Sequence, residues 1–283
     1  MKKGINIWSF PDGMPIAECI RIAKDAGFDG IELALTEGGE LGLDITDAKI
    51  SEIRQLAVDA GIEISGLATG LYWDYAMTSD DGAIRDKAVS ICKKQLELAA
   101  AFGVDAILVI PGGVGVDFIP GYPVVPYDIA YDRALAAIKL LAADAEAAGV
   151  HIGIENVWNK FLLSPLEMRG FIDAVGSDFV GSYFDVGNVV YSGYPEHWVR
   201  ILGSRIKKVH FKDYRREAGG LVGFVDLLAG DVNYPAVVEA LREIGYTNYV
   251  TAEMIPSYTH HSTQIIYNTS RSIDAILNDS ARA

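Results

Sequence analysis

Short hydrophobic runs alternate with longer amphipathic segments along the whole chain. Eight of the runs are rich in β-branched and aromatic residues and have the length of a β-strand. They span residues 4–8, 29–35, 62–68, 105–113, 150–157, 179–187, 206–214 and 249–256. Strands that alternate with helices in this way are typical of parallel βαβ units.

The segments between the strands have the signals of helices. The predicted helices span residues 14–26, 46–60, 82–102, 127–148, 164–175, 195–202, 234–244 and 262–279. Glycine directly follows each of them except the last, at a position that often needs a positive φ. Four joints between a helix and the next strand look alike, namely AGFDGIEL, AGIEISGL, FGVDAILV and AGVHIGIE. This similarity indicates one unit used repeatedly.

Eight strands with eight helices fit two arrangements. A doubly wound open sheet would usually have a glycine-rich phosphate-binding turn after its first strand, but this chain has SFPDGMP there. A (β/α)8 TIM barrel needs no such turn, and barrels of this length commonly form one domain. Because no linker or change of composition marks a boundary, we predict a single (β/α)8 barrel domain over residues 1–283.

Composition excludes several kinds of partner. The net charge of −14 opposes binding to nucleic acid, which needs clustered Lys and Arg. No run approaches the roughly 18 apolar residues of a membrane span, and the apolar run at the start is too short for a signal peptide. The two cysteines, Cys19 and Cys92, have no CxxC spacing, which suits a reducing compartment. We expect a cytoplasmic protein without nucleic-acid or membrane partners that forms a homo-oligomer, either dimer or tetramer.

The last four predicted strands each end in a side chain that can bind a metal. They contain IGIEN with Glu155, YFDVGN with Asp185, VHFKD with His210 and TAEM with Glu253. Catalytic residues of a barrel lie at these carboxyl ends. A single acid there could be a structural ion-pair partner. However, strand alternation can turn all four side chains inward while their mainly apolar neighbours face the helices.

Three carboxylates that converge without a cation would repel one another and be expensive to bury. A divalent ion would remove that cost, so we predict one metal ion held by Glu155, Asp185, His210 and Glu253. Structural zinc sites favour Cys and His, whereas carboxylates suit harder ions. We therefore expect Mn²⁺, with Mg²⁺ or Co²⁺ as alternatives.

In their order on strands 5 to 8, the motifs IEN, DVGN, HFKD and AEM resemble those of the sugar phosphate isomerase/epimerase family of xylose isomerase-like TIM barrels. The resemblance covers essentially the whole chain. It implies a Mn²⁺-type metal and a ketose or ketose-phosphate substrate. In the family's 3-epimerases, the residues matching Glu155 and Glu253 both bind the metal and move protons.

That implied role agrees with simple carbonyl chemistry. A metal chelated by a carbonyl oxygen and the neighbouring hydroxyl would acidify the C–H between them and stabilise an enediolate. One carboxylate would remove the proton and the other would return it from the opposite face. We expect epimerisation at C3 of a small-molecule ketose or ketose 5-phosphate, with Glu155 and Glu253 as catalytic residues.

Further residues bear on the substrate. The free-ketose 3-epimerases have a His where this chain has Asn188 and a Glu where it has Phe161, while Arg216 matches their Arg. The DxGN and HxKD pattern is more similar to that of the ketopentose-5-phosphate 3-epimerases. Lys212, Arg215 and Arg216 share one loop that could meet a phosphate, or could simply be solvated. We expect Asn188, Lys212 and Arg216 to bind substrate, and whether it carries a phosphate stays open.

Aromatic residues follow three of the strands at the catalytic end. Trp8, Trp73 and Trp158 come after strands 1, 3 and 5 and are expected to wall the sugar pocket. Glu32 has the inward phase on strand 2. It could support a metal ligand from behind, or it could form a core ion pair.

Other functions fit the same barrel. Proton transfer between adjacent carbons would make an aldose–ketose or hydroxypyruvate-type isomerase. Loss of a β-leaving group would make a dehydratase or lyase acting on an inosose or keto-sugar. A non-catalytic sugar-binding barrel would not need the paired carboxylates. An endonuclease-IV-type repair enzyme needs three zinc ions and more histidines than the five in this chain, and its substrate opposes the net charge of −14.

Overall fold

Eight barrel strands and eight α-helices alternate along the described part of the chain, as the hydrophobic pattern predicts. The computed structural model describes residues 1–255 and 258–279. The eight strands are β1 (Lys2–Asn6), β2 (Gly30–Leu35), β3 (Glu63–Thr69), β4 (Ala106–Val109), β5 (His151–Glu155), β6 (Val180–Asp185), β7 (Ile206–Phe211) and β8 (Tyr249–Ala252). They form a closed, parallel barrel in the order β1-β8-β7-β6-β5-β4-β3-β2. The prediction of a TIM barrel is confirmed, and the open doubly wound sheet is excluded.

The helices lie within one or two residues of their predicted bounds. They are α1 (Ile16–Asp25), α2 (Asp47–Ala60), α3 (Gly82–Phe102), α4 (Tyr127–Ala148), α5 (Pro165–Val175), α6 (Pro195–Leu202), α7 (Tyr234–Glu243) and α8 (Gln264–Asp279). Thr46, Asp81 and Ser164 cap the starts of α2, α3 and α5 by accepting a backbone N–H with the side-chain oxygen. The predicted glycines after the helices have positive φ, namely Gly27, Gly61, Gly103, Gly149, Gly176, Gly203 and Gly245.

Several strands are shorter than the hydrophobic runs that predict them. The run 105–113 pairs only as far as Val109 because it continues into Pro111, which has no N–H for a ladder hydrogen bond. The run 206–214, which contains His210, forms a strand only as far as Phe211. A short antiparallel ribbon follows it, in which Asp213–Tyr214 pairs with Phe224–Val225. Residue 256, the predicted end of the last strand, lies outside the described residues.

The main hydrophobic core lies between the barrel and its helices. The side chains of Ile152, Ile154, Phe184 and Phe211 are fully buried in this core. They alternate with Glu155, Asp185 and His210, so strand parity places those three on the inner face. Among the described residues, no helix is both long and apolar enough to cross a membrane.

Candidate metal centre and substrate cavity

Four side chains meet at the carboxyl ends of β5 to β8. Glu155, Asp185, His210 and Glu253 each offer a ligand atom, and these atoms lie within 4.8 Å of one another. The imidazole Nδ1 of His210 is 3.2 Å from Glu253 Oε2, 3.5 Å from Glu155 Oε1 and 3.9 Å from Asp185 Oδ2. All four residues are buried. The structure therefore brings together the predicted set.

The cluster has the properties of a cation site. His210 Nδ1 and Asp185 Oδ2 are both buried and have no hydrogen-bond partner, although each faces the other ligands. An unsatisfied buried acceptor is costly, and coordination to a cation would satisfy it. Three carboxylates and one imidazole form an oxygen-rich donor set of the kind that suits Mn²⁺, Mg²⁺ or Co²⁺. The residues present could thus hold a divalent ion.

A carboxylate outside the cluster, that of Glu32, fixes the direction of the His210 imidazole. His210 Nε2 lies 2.7 Å from Glu32 Oε1, and both side chains are fully buried. Glu32 also accepts hydrogen bonds from the amide of Asn6 and the hydroxyl of Tyr183. With Nε2 turned towards Glu32, Nδ1 must face the cluster. This arrangement matches the partner that metal-binding histidines commonly have behind the ring.

The motifs after β5 and β6 hold each other in place. Asn156 donates to the carbonyl of Asp185 at 2.8 Å and accepts from its N–H at 2.9 Å. The N–H of Asn188 donates to Asp185 Oδ1 at 2.7 Å, which leaves Oδ2 to face the cluster. The side-chain amide of Asn188 donates to the carbonyl of Asn156 at 3.0 Å. The asparagines of IEN and DVGN therefore aim the Asp185 carboxylate.

Lys212 supplies the positive charge nearest to the carboxylates. Its Nζ is 2.7 Å from Glu253 Oε2 and 3.4 Å from Asp185 Oδ2. The lysine reaches them because Gly187 has no side chain, and a Cβ there would collide with Lys212. Lys212 thus partly neutralises the acids, and it does not extend into the loop as a free cation.

Burial and neighbouring charges act differently on the two glutamates. Burial raises the pKa of Glu155 to about 7. Burial also acts to raise the pKa of Glu253, but the nearby Lys212 and His210 outweigh it and lower that pKa to about 2. The pKa of Asp185 is raised, mainly by burial. For His210, burial acts to lower the pKa, but the surrounding glutamates, Glu32 foremost, raise it well above its ordinary value.

A cavity of about 780 Å³ opens above the cluster, with Glu253 in its lining. Trp8, Trp73 and Trp158 form part of its wall, and Asn188 and Lys212 also line it. The described lining residues are otherwise Asp12, Gly70, Phe118, Val157, Leu221, Val222, Phe224 and Ile255. The indole N–H of Trp158 donates to the carbonyl of Asn188 at 2.8 Å, which fixes that ring.

The structure does not bring Arg216 to this cavity. Its guanidinium donates to the carbonyl of Val190 at 2.9 Å and lies 5.3 Å from the centre of the Tyr194 ring. Arg215 is also turned away and donates to the carbonyl of Ala229 at 2.9 Å. The shared loop of Lys212, Arg215 and Arg216 therefore does not form a basic cluster.

Sequence reasoning missed three residues that support the site. Tyr183 lies two residues before Asp185 and shares its inward parity, and its ring packs 4.9 Å from that of His210. Asn6 ends β1 in the same way that the ligands end their strands. Strand parity could have identified both of these residues. Asn156 lies beyond β5, where parity no longer applies.

Comparison with known proteins places these features in a family. The model of the family described as "Xylose isomerase-like TIM barrel" matches residues 20–274. The L-ribulose 3-epimerase of Mesorhizobium japonicum is 25% identical over 83% of this chain and 73% of its own length. The L-ribulose-5-phosphate 3-epimerase of Shigella flexneri serotype 5b is 22% identical over 90% of this chain and 88% of its own.

A solved structure gives the same fold. An L-ribulose 3-epimerase superposes with a TM-score of 0.80 at 20% identity and covers 99% of this chain and 96% of its own. The family model spans most of the sequence, including all four clustered residues at the ends of β5 to β8. The chain belongs to the xylose isomerase-like TIM barrel family.

Proposed function

We propose that this protein is a metal-dependent ketose 3-epimerase. The observation that carries the proposal is the position of two glutamates around one cation site. Glu155 and Glu253 reach the same nitrogen of His210, at 3.5 and 3.2 Å, from strands separated by β6 and β7. Two carboxylates that approach one centre from different sides are what inversion of a carbon requires.

The residues would divide the work as follows. Glu155, Asp185, His210 and Glu253 would hold one divalent ion, for which we propose Mn²⁺ because of the oxygen-rich donor set. When bound, the ion would polarise the ketose carbonyl and compensate the negative charge that develops on its oxygen. We propose no role beyond metal binding for Asp185 and His210. Their contacts with Asn188 and Glu32 aim them at the ion.

The two glutamates would move the proton. One carboxylate removes the C3 proton, and the electron pair of the broken C–H bond passes into the carbonyl system to give an enediolate. The second glutamate, which starts protonated, donates its proton to C3 from the other face. The substrate keeps its composition, and the two glutamates end with exchanged protonation states. A proton exchange with water would then restore the enzyme.

The wall of the cavity supports a sugar as the substrate. Trp8, Trp73 and Trp158 offer apolar faces to C–H groups, whereas Asn188 and Lys212 offer polar contacts near the acids. The relatives are also named as epimerases of ketoses and ketose phosphates. For the protein itself, we propose a cytoplasmic location, with which the two free, buried cysteines agree.

Deuterium exchange tests the reaction. The Mn²⁺-loaded protein is incubated in D₂O with ketopentoses and ketohexoses, and NMR reads the position of the label. We expect deuterium at C3 together with the inverted sugar. Label at C1 or C2 with formation of an aldose would instead identify an isomerase, and formation of an unsaturated product would identify a dehydratase.

Single carboxylate variants provide the matched control. We expect Glu155→Gln and Glu253→Gln each to abolish C3 epimerisation, because each removes one of the two proton-transfer groups. Glu63→Gln alters a glutamate at the opposite end of the barrel, which pairs with Lys2, and should keep full activity. Absence of exchange in every ketose despite bound metal would refute the proposed reaction.

A further inference from the structure

The charges that line the cavity bear on the class of sugar it accepts. Asp12, Lys212 and Glu253 are the charged residues among its described lining. The ammonium of Lys212 already lies 2.7 Å from Glu253 and 3.4 Å from Asp185. Apart from Lys212, which lies beside the acids at the reacting end, the described lining therefore offers no cation that could meet a terminal phosphate on the substrate.

Basic residues just outside the cavity do not supply it with a free cation either. The guanidinium groups of Arg215 and Arg216 bond to backbone carbonyls away from the lining. Lys160 lines a neighbouring cavity of about 600 Å³ that shares Trp158 with this one, but its Nζ is 2.5 Å from Asp117 Oδ1. That pair brings no net charge to the region.

Much of the cavity wall is apolar and aromatic. Trp73 packs edge to face on Phe118 with ring centres 5.4 Å apart, and Trp158 lies 5.3 Å from Phe224. Phe118 and Trp158 also line the neighbouring cavity, so the apolar surface extends from one cavity into the next. Such a surface favours C–H groups and excludes a dianion, which would lose hydration without gaining a partner.

We infer that the substrate is an uncharged ketose whose carbons beyond the reacting end pack against this aromatic wall, and that terminal phosphates are selected against. The inference rests on the proposed function, because it takes the acid cluster as the reacting end. It also departs from the DxGN and HxKD motifs, which resemble those of the ketopentose-5-phosphate enzymes.

Two measurements on the metal-loaded protein test the inference separately from the reaction. Tryptophan fluorescence titration gives Kd for L-ribulose and for L-ribulose 5-phosphate, and C3 exchange in D₂O gives kcat/KM for the same pair. We expect the phosphate to bind more weakly and to react with kcat/KM lower by about tenfold or more, because the phosphate loses hydration without gaining a cation partner. Tighter binding or faster exchange of the phosphate would overturn the inference.

Binding without exchange would count against the proposed reaction, while the ratio of the two Kd values would still decide the substrate class.

A gain-of-function variant gives a further check. Val222 lines the cavity and is 82% exposed as a residue, so Val222→Arg should fold and place a cation at the rim. We expect Val222→Arg to shift preference towards the phosphate, and the neutral control Val222→Gln not to do so.

Lys160 provides the opposite test. If wild-type protein prefers the phosphate and Lys160→Ala loses that preference, Lys160 supplies the phosphate contact and the inference is wrong. If Lys160→Ala leaves the ratio of the two Kd values unchanged and in favour of the free sugar, the pair with Asp117 has no part in recognition, as we infer.

Discussion

His210 Nε2 lies 2.7 Å from Glu32 Oε1, in a fully buried pair that connects β7 to β2. The strands are on different sides of the barrel, with β8 and β1 between them. The contact therefore joins the candidate metal centre to a strand that contributes none of its four clustered residues. Because it determines which ring nitrogen faces the ligands, its effect should be visible in metal binding before any substrate is added.

Glu32→Gln should weaken metal binding by roughly 10–100-fold, the usual effect of losing a partner behind a ligand histidine. Glutamine keeps the shape of the side chain but lacks the negative charge that orients the imidazole. Isothermal titration of the metal-free protein with Mn²⁺ measures the change. Glu63→Gln, at the opposite end of the barrel, is the control and should titrate as the wild type does. An unchanged affinity in Glu32→Gln would show that the pair is only structural.

The sequence predicts the fold and the acid cluster for related reasons. The hydrophobic runs that mark strands and the glycines that mark helix ends are local signals. The structure confirms all eight predicted strands and all eight predicted helices. Strand parity is also local, and it is sufficient to place Glu155, Asp185 and His210 on one face of their strands. Convergence then follows from closure of the barrel.

The remaining contacts could not be predicted because they depend on distances across the barrel. Parity turns Glu32 inward but does not tell whether its partner is His210 or a core lysine. The direction of Lys212 and Arg216 depends on how the loop after β7 folds, and Asp213 sets that fold by accepting the N–H groups of Leu228 and Val232. Both residues are basic, so their charge alone does not predict that Lys212 pairs with the acids whereas Arg216 is exposed.

Stabilisation of the protein by metal should increase with pH. Burial holds the pKa of Glu155 at about 7, above its ordinary value of 4.5. The proton on Glu155 therefore stabilises the metal-free fold fully below about pH 4.5, and that contribution is lost as pH rises through 7. Metal binding favours the carboxylate form, so it competes with this proton at low pH. We expect a larger Mn²⁺-induced rise in Tm at pH 8 than at pH 6.

Differential scanning fluorimetry with and without Mn²⁺ at each pH measures this difference. Glu253 does not disturb the interpretation, since Lys212 and His210 hold its pKa near 2 and it stays ionised throughout that range. In Glu155→Gln the dependence on pH should become weaker, and the remainder comes from His210, whose raised pKa means that it must also release a proton to the metal. If the wild type gains the same rise in Tm at both values of pH, Glu155 does not carry the proton.

Replacement of Lys212 should lower the free energy of unfolding mainly when metal is absent. Lys212→Met removes the ammonium that lies 2.7 Å from Glu253 and leaves the buried carboxylates without compensation. Loss of one partner from a buried ion pair costs about 3–5 kcal/mol. A bound divalent ion would compensate the same charges, so the metal-loaded variant should lose much less. Urea unfolding with and without Mn²⁺ gives both values.

Lys208→Met is the matched control for that experiment. Lys208 is also buried and its Nζ pairs with Asp105 at 2.6 Å, but it donates to the carbonyl of Ser65 far from the metal ligands. Its loss should destabilise the protein equally with and without Mn²⁺. Equal losses for Lys212→Met in the two conditions would show that Lys212 and the metal do not act on the same charges.

Gly66 should be required for the contact between Glu32 and His210. Gly66 lies beside Glu32 in the β2–β3 register, and a Cβ on it would collide with Glu32 Oε2 and stand 2.7 Å from the hydroxyl of Tyr183. Both groups are buried and bonded, so neither can move freely. We expect Gly66→Ala to cost about 1–3 kcal/mol of stability, as overpacking usually does, and to weaken Mn²⁺ binding through displacement of Glu32.

The matched glycine is Gly170, which is exposed within α5 and has no atom within 4 Å of the place where a Cβ would stand. Gly170→Ala should stabilise the protein by about 0.5–1 kcal/mol, because alanine restricts the unfolded chain more than glycine does. It should leave Mn²⁺ affinity unchanged. Thermal unfolding and metal titration of the two variants separate a general effect of alanine from one that acts on Glu32. If Gly66→Ala loses stability but binds metal normally, the position of Glu32 is not what holds His210 for the metal.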